Sequence, residues 1–450
     1  MYGLTVNQIA EICHAEFCGY GDGADRQPKR IVIDSREVQP GDLFAAFRGS
    51  NADGNSYISA AFQNGAYCCL TDVPPKEMYD GIVLLVDDVQ KAVISIAEEF
   101  RKNVNIPIVG ITGSVGKTTA KEMVSSVLEQ HYSVLKTEKN LNNQLGVPMT
   151  LSRIEPGHEI AVVEMGISKP GDMELLGKLV RPSVAVFTSI GNAHLEFLHD
   201  LDGVFHEKTR MLDYMSKDGV IIVNGDDQHL CKLINERRII KCGIGCCNEY
   251  KAEQIDYSEE GRTSFLISAD SEKIYASTGY FGKHIVSAAL LAAAVGREFD
   301  LDNSEITKGI AAFRNAGRRG ELTRTELLVL FDNCYNANPD SVRSSIESLM
   351  LLQGRHVCIL GDMLELGCNA EQLHAEIGKF VRNVGVEVLI TCGPLSVATA
   401  DSYGHGAVHY DDLETLVEDI PALLTNGDCV LVQASRGMHF EKVSDRIRSI

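Results

Sequence analysis

Ile106–Thr119 reads IPIVGITGSVGKTT, and the rest of the chain is interpreted outward from it. The apolar run from Ile106 to Ile111, broken only by Pro107, has the length of a buried strand. Thr112, Gly113, Ser114, Val115, Gly116, Lys117, Thr118 and Thr119 follow, and then the amphipathic run AKEMVSSVLEQ. A strand, a Gly-bearing turn and a helix N-terminus in that order build an anion site. The turn lets backbone N–H groups face inward, and the helix dipole adds partial positive charge. The spacing sets Lys117 against terminal phosphates and the Thr118 hydroxyl on Mg²⁺. The usual phosphate loop has Gly five residues before Gly116, where this chain has Ile111, so the motif is a shortened TGxxGKTT.

At 450 residues the chain has room for two to four domains. Its 44% apolar and 23% charged residues are ordinary for a globular protein. A formal net charge of −20 argues against nonspecific nucleic-acid binding, which relies on Lys and Arg to neutralise phosphates. A helix terminus and a few cations can still bind an anion locally. The 13 cysteines form no C-x-x-C pair, and Cys242, Cys246 and Cys247 have no neighbouring His for a closed zinc site. Free thiols in a reducing cytosol are expected. The opening MYGLTVNQIAEICHAEF lacks the basic and apolar segments of a signal peptide, and no run of 18 apolar residues offers a membrane span.

Residues 1–103 read as a small α/β unit. LTVNQIAEICHAEF has helical spacing, and RIVIDSREVQPGDLFAAFRG reads as strand, turn, strand. Ser35 and Arg36 fall at a strand end, where an Arg can clamp a diphosphate or simply be solvated in a turn. Residues 104–313 read as the nucleotide domain. VGIT, SVLKT, IAVVEMG, VAVFTSI and GVIIVNGDD alternate with helical stretches, the pattern of a parallel doubly wound sheet whose ligands gather at the carboxyl ends of strands. Glu164 ends IAVVEMG, and His194 follows VAVFTSIGNA; both positions suit a metal beside a nucleotide. The spacing of His194, His199 and His206 fits no zinc motif. Residues 248–281 read as short antiparallel strands about a Glu-Gly turn at 260–261. Residues 314–450 repeat the α/β rhythm in LLVLFDN, HVCILGD, VEVLITCG and CVLVQAS, without a phosphate loop. Their strand ends are expected to complete a site across an interdomain cleft.

TGSVGKTT, NLNNQLGVPMTL, VVEMGISKPGDM, SIGNAHLE, Glu207-Lys208, YNANPDS and LGDMLELG stand in the order found in the Mur ligases, which the chain resembles over almost its whole length. YNANPDS with LGDMLELG resembles the branch that adds D-Ala-D-Ala to UDP-N-acetylmuramoyl-tripeptide. The resemblance implies three α/β domains: a UDP-precursor domain, a central ATP-binding domain of phosphate-loop type and a C-terminal Rossmann-like domain. It implies an ATP-dependent amide ligase of bacterial cytoplasm, acting in peptidoglycan precursor synthesis through an acyl phosphate. The cofactors implied are ATP, two Mg²⁺ and a carbamylated lysine at Lys208. Lys117 with the Gly113–Thr119 backbone would hold phosphates, with Asn143 and Asn333 on the nucleotide side. Thr118 and Glu164 would carry one Mg²⁺; His194 and Lys208 would serve a second. Arg318 matches the family arginine near the transferring phosphate, with Arg319 adjacent. Ser35 and Arg36 would meet the uridine nucleotide, and Asn336 and Asn338 the D-Ala-D-Ala. No nucleic-acid partner is expected, and a monomer is favoured.

Several family positions are changed. GxHNxxNALAA appears as GKHIVSAALLAAA, leaving Ile285 and Ala288 where the family has Asn. Asn333 replaces a second Asp, a ribose contact in the family, and Gln433 replaces the Lys of KGSR. One lost hydrogen bond costs roughly 0.5–1.5 kcal/mol, so two lost contacts would weaken ATP by about ten- to a hundredfold. The expectation is a working ligase with an altered adenosine pocket. The alternatives are a nonenzymatic paralogue that binds UDP-linked precursor and an amide ligase with another acceptor.

Overall fold

Ile108–Thr112, the strand before the Gly-bearing turn, lies inside a nine-stranded sheet. Its spatial order is Glu272–Thr278, Thr263–Ala269, Tyr250–Tyr257, Ile239–Gly243, Val220–Asn224, Val184–Phe187, Ile108–Thr112, Ile160–Glu164 and Val134–Lys136. The computed structural model describes residues 1–18, 23–49, 52–75, 78–193, 195–258, 261–269, 272–315 and 317–450. Strand pairing is parallel from Val134–Lys136 through Tyr250–Tyr257 and antiparallel in the two hairpins beyond. Glu260 of the expected 260–261 turn lies outside the described residues, and the strands it would join pair antiparallel. Ile239–Gly243 is a strand that the sequence reading did not anticipate.

The chain passes from Ile108–Thr112 to the outer Val134–Lys136, returns beside it as Ile160–Glu164, and then crosses to its other flank as Val184–Phe187. Connection direction therefore reverses at the phosphate-loop strand, which is where a doubly wound sheet opens a crevice. Both faces are buried, as side-chain alternation requires of a covered parallel sheet. Val109, Ile111, Val162 and Val186 enter one core; Ala161, Val163, Ala185 and Phe187 enter the other. Helix Lys117–Leu128 fits the first face because Ala120, Met123, Val124, Val127 and Leu128 recur at helical spacing and are all buried.

The first sheet has five strands in the order Glu16–Cys18, Ile82–Leu85, Cys68–Thr71, Leu43–Ala45 and Ile31–Val32. Its helix Val89–Asn103 turns Val93, Ile96 and Phe100 into the same apolar cluster as Val147, Leu151, Leu176 and Leu179 of the central unit. The Ile31 amide also donates to Ser152 Oγ across this joint at 3.0 Å. The third sheet has the order Glu321–Arg324, Val329–Asp332, Asp428–Gln433, Arg355–Gly361, Val388–Cys392 and Ala407–Tyr410, with only its first pair antiparallel. It carries its own clusters on its two faces, and the central unit adds Tyr257 and Phe281 to one of them. Among the described residues no helix is long and apolar enough to cross a membrane.

Candidate functional site

The carboxyl ends of the central and third sheets face each other across a cleft of about 620 Å³. Ser114 to Thr119 form one wall; Asn333, Tyr335, Asn336, Asn338 and Arg436 form part of the other. Two glycines shape the phosphate loop. Gly116 has φ +84° as the N-cap of Lys117–Leu128, a conformation costly for other residues. At Gly113 a methyl group would collide with Thr188 Oγ1, so the loop lies directly on the next strand's end.

Lys117 Nζ donates to the carbonyls of Gly113 at 2.8 Å and Ser114 at 3.3 Å, folded over its own loop. The amides of Ser114 and Val115 are already engaged, by Ser189 O and Ser189 Oγ, both at 2.9 Å. The donors left for an anion are therefore those of the first helical turn, which have no intrahelical acceptor. Lys208 is fully buried in helix Leu201–Thr209 and donates to Gly113 O at 3.0 Å. Burial, and then the Lys117 charge, hold its pKa well below the usual lysine value.

Glu164 pairs in register with Ile111, one strand over from the phosphate loop. Its Oε1 accepts from Asn142 Nδ2 at 2.8 Å, whereas Oε2 is buried with no hydrogen-bond partner. A buried carboxylate oxygen without a donor suits a hard cation. Thr118 lines the same space, so the donor set fits Mg²⁺. Among the described residues no three His, Cys, Asp or Glu side chains cluster as a metal cage, so such an ion would complete its shell with phosphate and water oxygens. His194 lies outside the described residues.

The arginine expected at the cleft requires correction. Arg318 points away, to the Glu441 carbonyl at 3.0 Å and Asp445 at 2.7 Å, with buried Asp332 at 3.8 Å. Arg319 lines the cleft and stacks on the Tyr335 ring, 3.7 Å from its centroid. Arg436 lies over the same ring at 5.2 Å and donates to Tyr335 Oη at 3.1 Å. Burial lowers the Arg319 pKa, opposed by Tyr335, Glu164 and Glu122.

The asparagines divide. Asn143 lines the cleft, but its Oδ1 accepts from the amides of Leu145 and Gly146. Asn338 Oδ1 caps helix Pro339–Leu349 through the Ser341 amide. Asn333 Nδ2 donates to Ser345 Oγ at 2.7 Å. The Asn336 carbonyl accepts from buried Gln433 Nε2 at 3.3 Å. Ile285 and Ala288 are in the apolar core and not in the cleft. Ser35 and Arg36 belong to the first unit and do not line this cleft; Arg36 is exposed and paired with Asp34 at 2.7 Å. Asn142, Ser189 and Tyr335 were not identified from the sequence. For Asn142 a signal existed in NLNNQLG, one position from Asn143.

Comparison with known proteins covers the same ground. Residues 28–115 match the Mur ligase family catalytic domain, residues 111–296 the Mur ligase middle domain, and residues 318–436 the Mur ligase glutamate ligase domain. The chain is 33% identical over 468 residues to the UDP-N-acetylmuramoyl-tripeptide–D-alanyl-D-alanine ligase of Bacillus subtilis, covering 100% of this chain and 99% of that one. A crystal structure of MurF from Acinetobacter baumannii superposes with a TM-score of 0.88 at 26% identity, covering 99% of each chain. MurF ligase from Thermotoga maritima, in complex with ADP, gives 0.82 at 27% identity over 94% of this chain and 97% of that one.

Proposed function

The chain belongs to the Mur ligase family, and from that premise we propose that it joins D-alanyl-D-alanine to UDP-N-acetylmuramoyl-tripeptide, with ATP converted to ADP and phosphate. The observation that carries this reading is the convergence of Lys117, the unpartnered Glu164 oxygen and Arg319 on one cleft. The tripeptide carboxylate takes the γ-phosphoryl group, giving an acyl phosphate and ADP. The D-Ala-D-Ala amine then attacks the acyl carbon, loses a proton and expels phosphate as the amide bond forms. Neither step needs a protein nucleophile, so this chain's work is positioning and charge neutralisation.

Lys117 exchanges the Gly113 carbonyl for β- and γ-phosphate oxygens, and the first-turn amides after Gly116 face the same anion. Thr118 and Glu164 would hold Mg²⁺, which would neutralise phosphate charge. His194 and a carbamylated Lys208 are the proposed ligands of a second ion. Burial favours the neutral Lys208 amine, the form that adds CO₂ with formation of an N–C bond and loss of a proton. Arg319, not Arg318, meets the charge of the transferring phosphoryl group. Asn143 and Asn333 stand on the nucleotide side, Asn336 and Asn338 on the acceptor side, and Ser35 with Arg36 on the uridine side. The domains proposed are residues 1–103, 104–313 and 314–450, a division that the helix ends at Asn103 and Ala312 support. A cytoplasmic location fits the free cysteines among the described residues, and a monomer is the state proposed.

The test is phosphate release with UDP-N-acetylmuramoyl-tripeptide, D-Ala-D-Ala, ATP and Mg²⁺ supplied together over a wide ATP range. Release only with all four supports the ligase. Precursor binding without turnover would favour the nonenzymatic paralogue, for which the Asn333 and Gln433 replacements speak. Turnover with single D-Ala, D-Ala-D-lactate or glutamate in place of D-Ala-D-Ala would reassign the acceptor.

A further inference from the structure

Asp340 is the second residue of helix Pro339–Leu349, directly after the Asn336 and Asn338 segment of the third domain. Its Oδ2 accepts the backbone N–H of Asn192 at 2.6 Å, and its Oδ1 lies 3.5 Å from Asn192 Nδ2. Asn192 sits in the loop beyond strand Val184–Phe187 of the central sheet, so this contact bridges the two domains. On its other side the same loop is tied to the phosphate loop. The Ser114 hydroxyl donates to Gly191 O at 3.1 Å, and Ser114 Oγ accepts the Gly191 amide at 2.9 Å.

Gly191 explains how the carboxylate fits. A methyl group there would collide with Asp340 Oδ2, whereas Ser114 Cβ would remain at an ordinary 3.5 Å. The missing side chain thus makes room for a residue of the other domain. Among the described residues no Lys or Arg pairs with Asp340. Its charge is directed to a neutral amide, a charge-assisted bond stronger than a neutral pair.

We propose that Asp340 is a positioning residue that docks the acceptor-side helix onto the phosphate loop through Gly191–Asn192, setting the acceptor in register with the phosphoryl group. The inference rests on the ligase reading for its effect on turnover, and on geometry alone for the docking. Asp340 contacts no reacting atom; it acts by fixing the separation of two binding walls, where a shift of about 1 Å can cost 10²-fold in rate.

The experiment compares wild type, Asp340→Ala, Asp340→Asn, Gly191→Ala and the Gly191→Ala/Asp340→Ala double variant. Asp340→Ala should lower kcat by about 10²-fold and raise the D-Ala-D-Ala KM, with ATP Kd unchanged. Asp340→Asn keeps an acceptor oxygen and should recover most of the loss. Gly191→Ala should reproduce the defect, and the double variant should be no worse than Asp340→Ala, because the collision is gone. Small-angle scattering with a nonhydrolysable ATP analogue should show wider domain spacing in Asp340→Ala than in wild type. Superposable scattering curves would overturn the docking role, as would multiplicative losses in the double variant. If wild type itself released no phosphate, the ligase reading would fall while scattering still decided the docking.

Discussion

Lys117 and Lys208 converge on one oxygen: their Nζ atoms lie 2.8 and 3.0 Å from the carbonyl oxygen of Gly113. Like charges that share an acceptor repel, and this repulsion adds to burial in depressing the Lys208 pKa. The repulsion is relieved when Lys208 is neutral, which leaves Lys117 as the cation folded over the loop.

The carbamylation proposed for Lys208 starts from the neutral amine that burial favours, and this gives the first prediction. Removing dissolved CO₂ should lower wild-type activity, and bicarbonate should restore it. At fixed dissolved CO₂ the restoration should quicken as pH rises, because the neutral form increases with pH. Lys208→Ala should be inactive and partly rescued by formate or acetate. Restoration that ignores CO₂, or a variant no carboxylate rescues, would count against the carbamate.

Glu164 reaches the cleft with one oxygen held by Asn142 and the other free of protein donors. Glu164→Gln should raise the Mg²⁺ concentration needed for half-maximal phosphate release. Asn142→Ala should do the same by roughly 10- to 100-fold, as lost outer-shell partners do. A magnesium titration checks both, and an unchanged midpoint would remove Glu164 from the ion's shell.

The adjacent arginines should separate cleanly. Arg319→Ala should lower kcat by about 10²–10³-fold, the scale of a lost donor to developing charge. Arg318→Ala should leave kcat within a few-fold and lower stability instead, because buried Asp332 would keep only Arg448, at 3.0 Å, of its two arginine neighbours. Steady-state kinetics with urea unfolding distinguishes the two, and the reverse pattern would return the role to Arg318.

Restoring the family residue at position 285 should not restore nucleotide affinity. Ile285 is wholly buried among apolar side chains, so Ile285→Asn strands an amide there at a cost of about 2–4 kcal/mol. The urea midpoint should fall and ATP Kd should not improve. Tighter ATP at unchanged stability would show that this helix can present the position to the cleft.

The alternation of strands and helices was readable because periodic burial encodes it locally, and the placement of Ser114–Thr119 and Glu164 on one cleft follows from a local motif and a strand end. What adjacent residues do at a turn was not readable. Arg318 and Arg319 stand between Gly317 and Gly320, both left-handed at φ +70° and +69°, so helical or strand periodicity gives no facing for either. Asn142 and Asn143 differ in the same way: one reaches Glu164, and the other accepts amides at the start of helix Gly146–Ser152. Tyr335 opens the YNANPDS motif, but its place between Arg319 and Arg436 depends on partners from distant stretches of chain, which the motif does not encode.

Phe100 and Val93 share their apolar cluster with Leu151 and Leu176, whereas the third sheet borrows little more than Tyr257 and Phe281 from its neighbour. Heat therefore cannot loosen the front of the molecule without wetting the interior of the middle. In a calorimeter this chain has the anatomy of two melting blocks, a large one of fused halves and a smaller one behind a narrow seam.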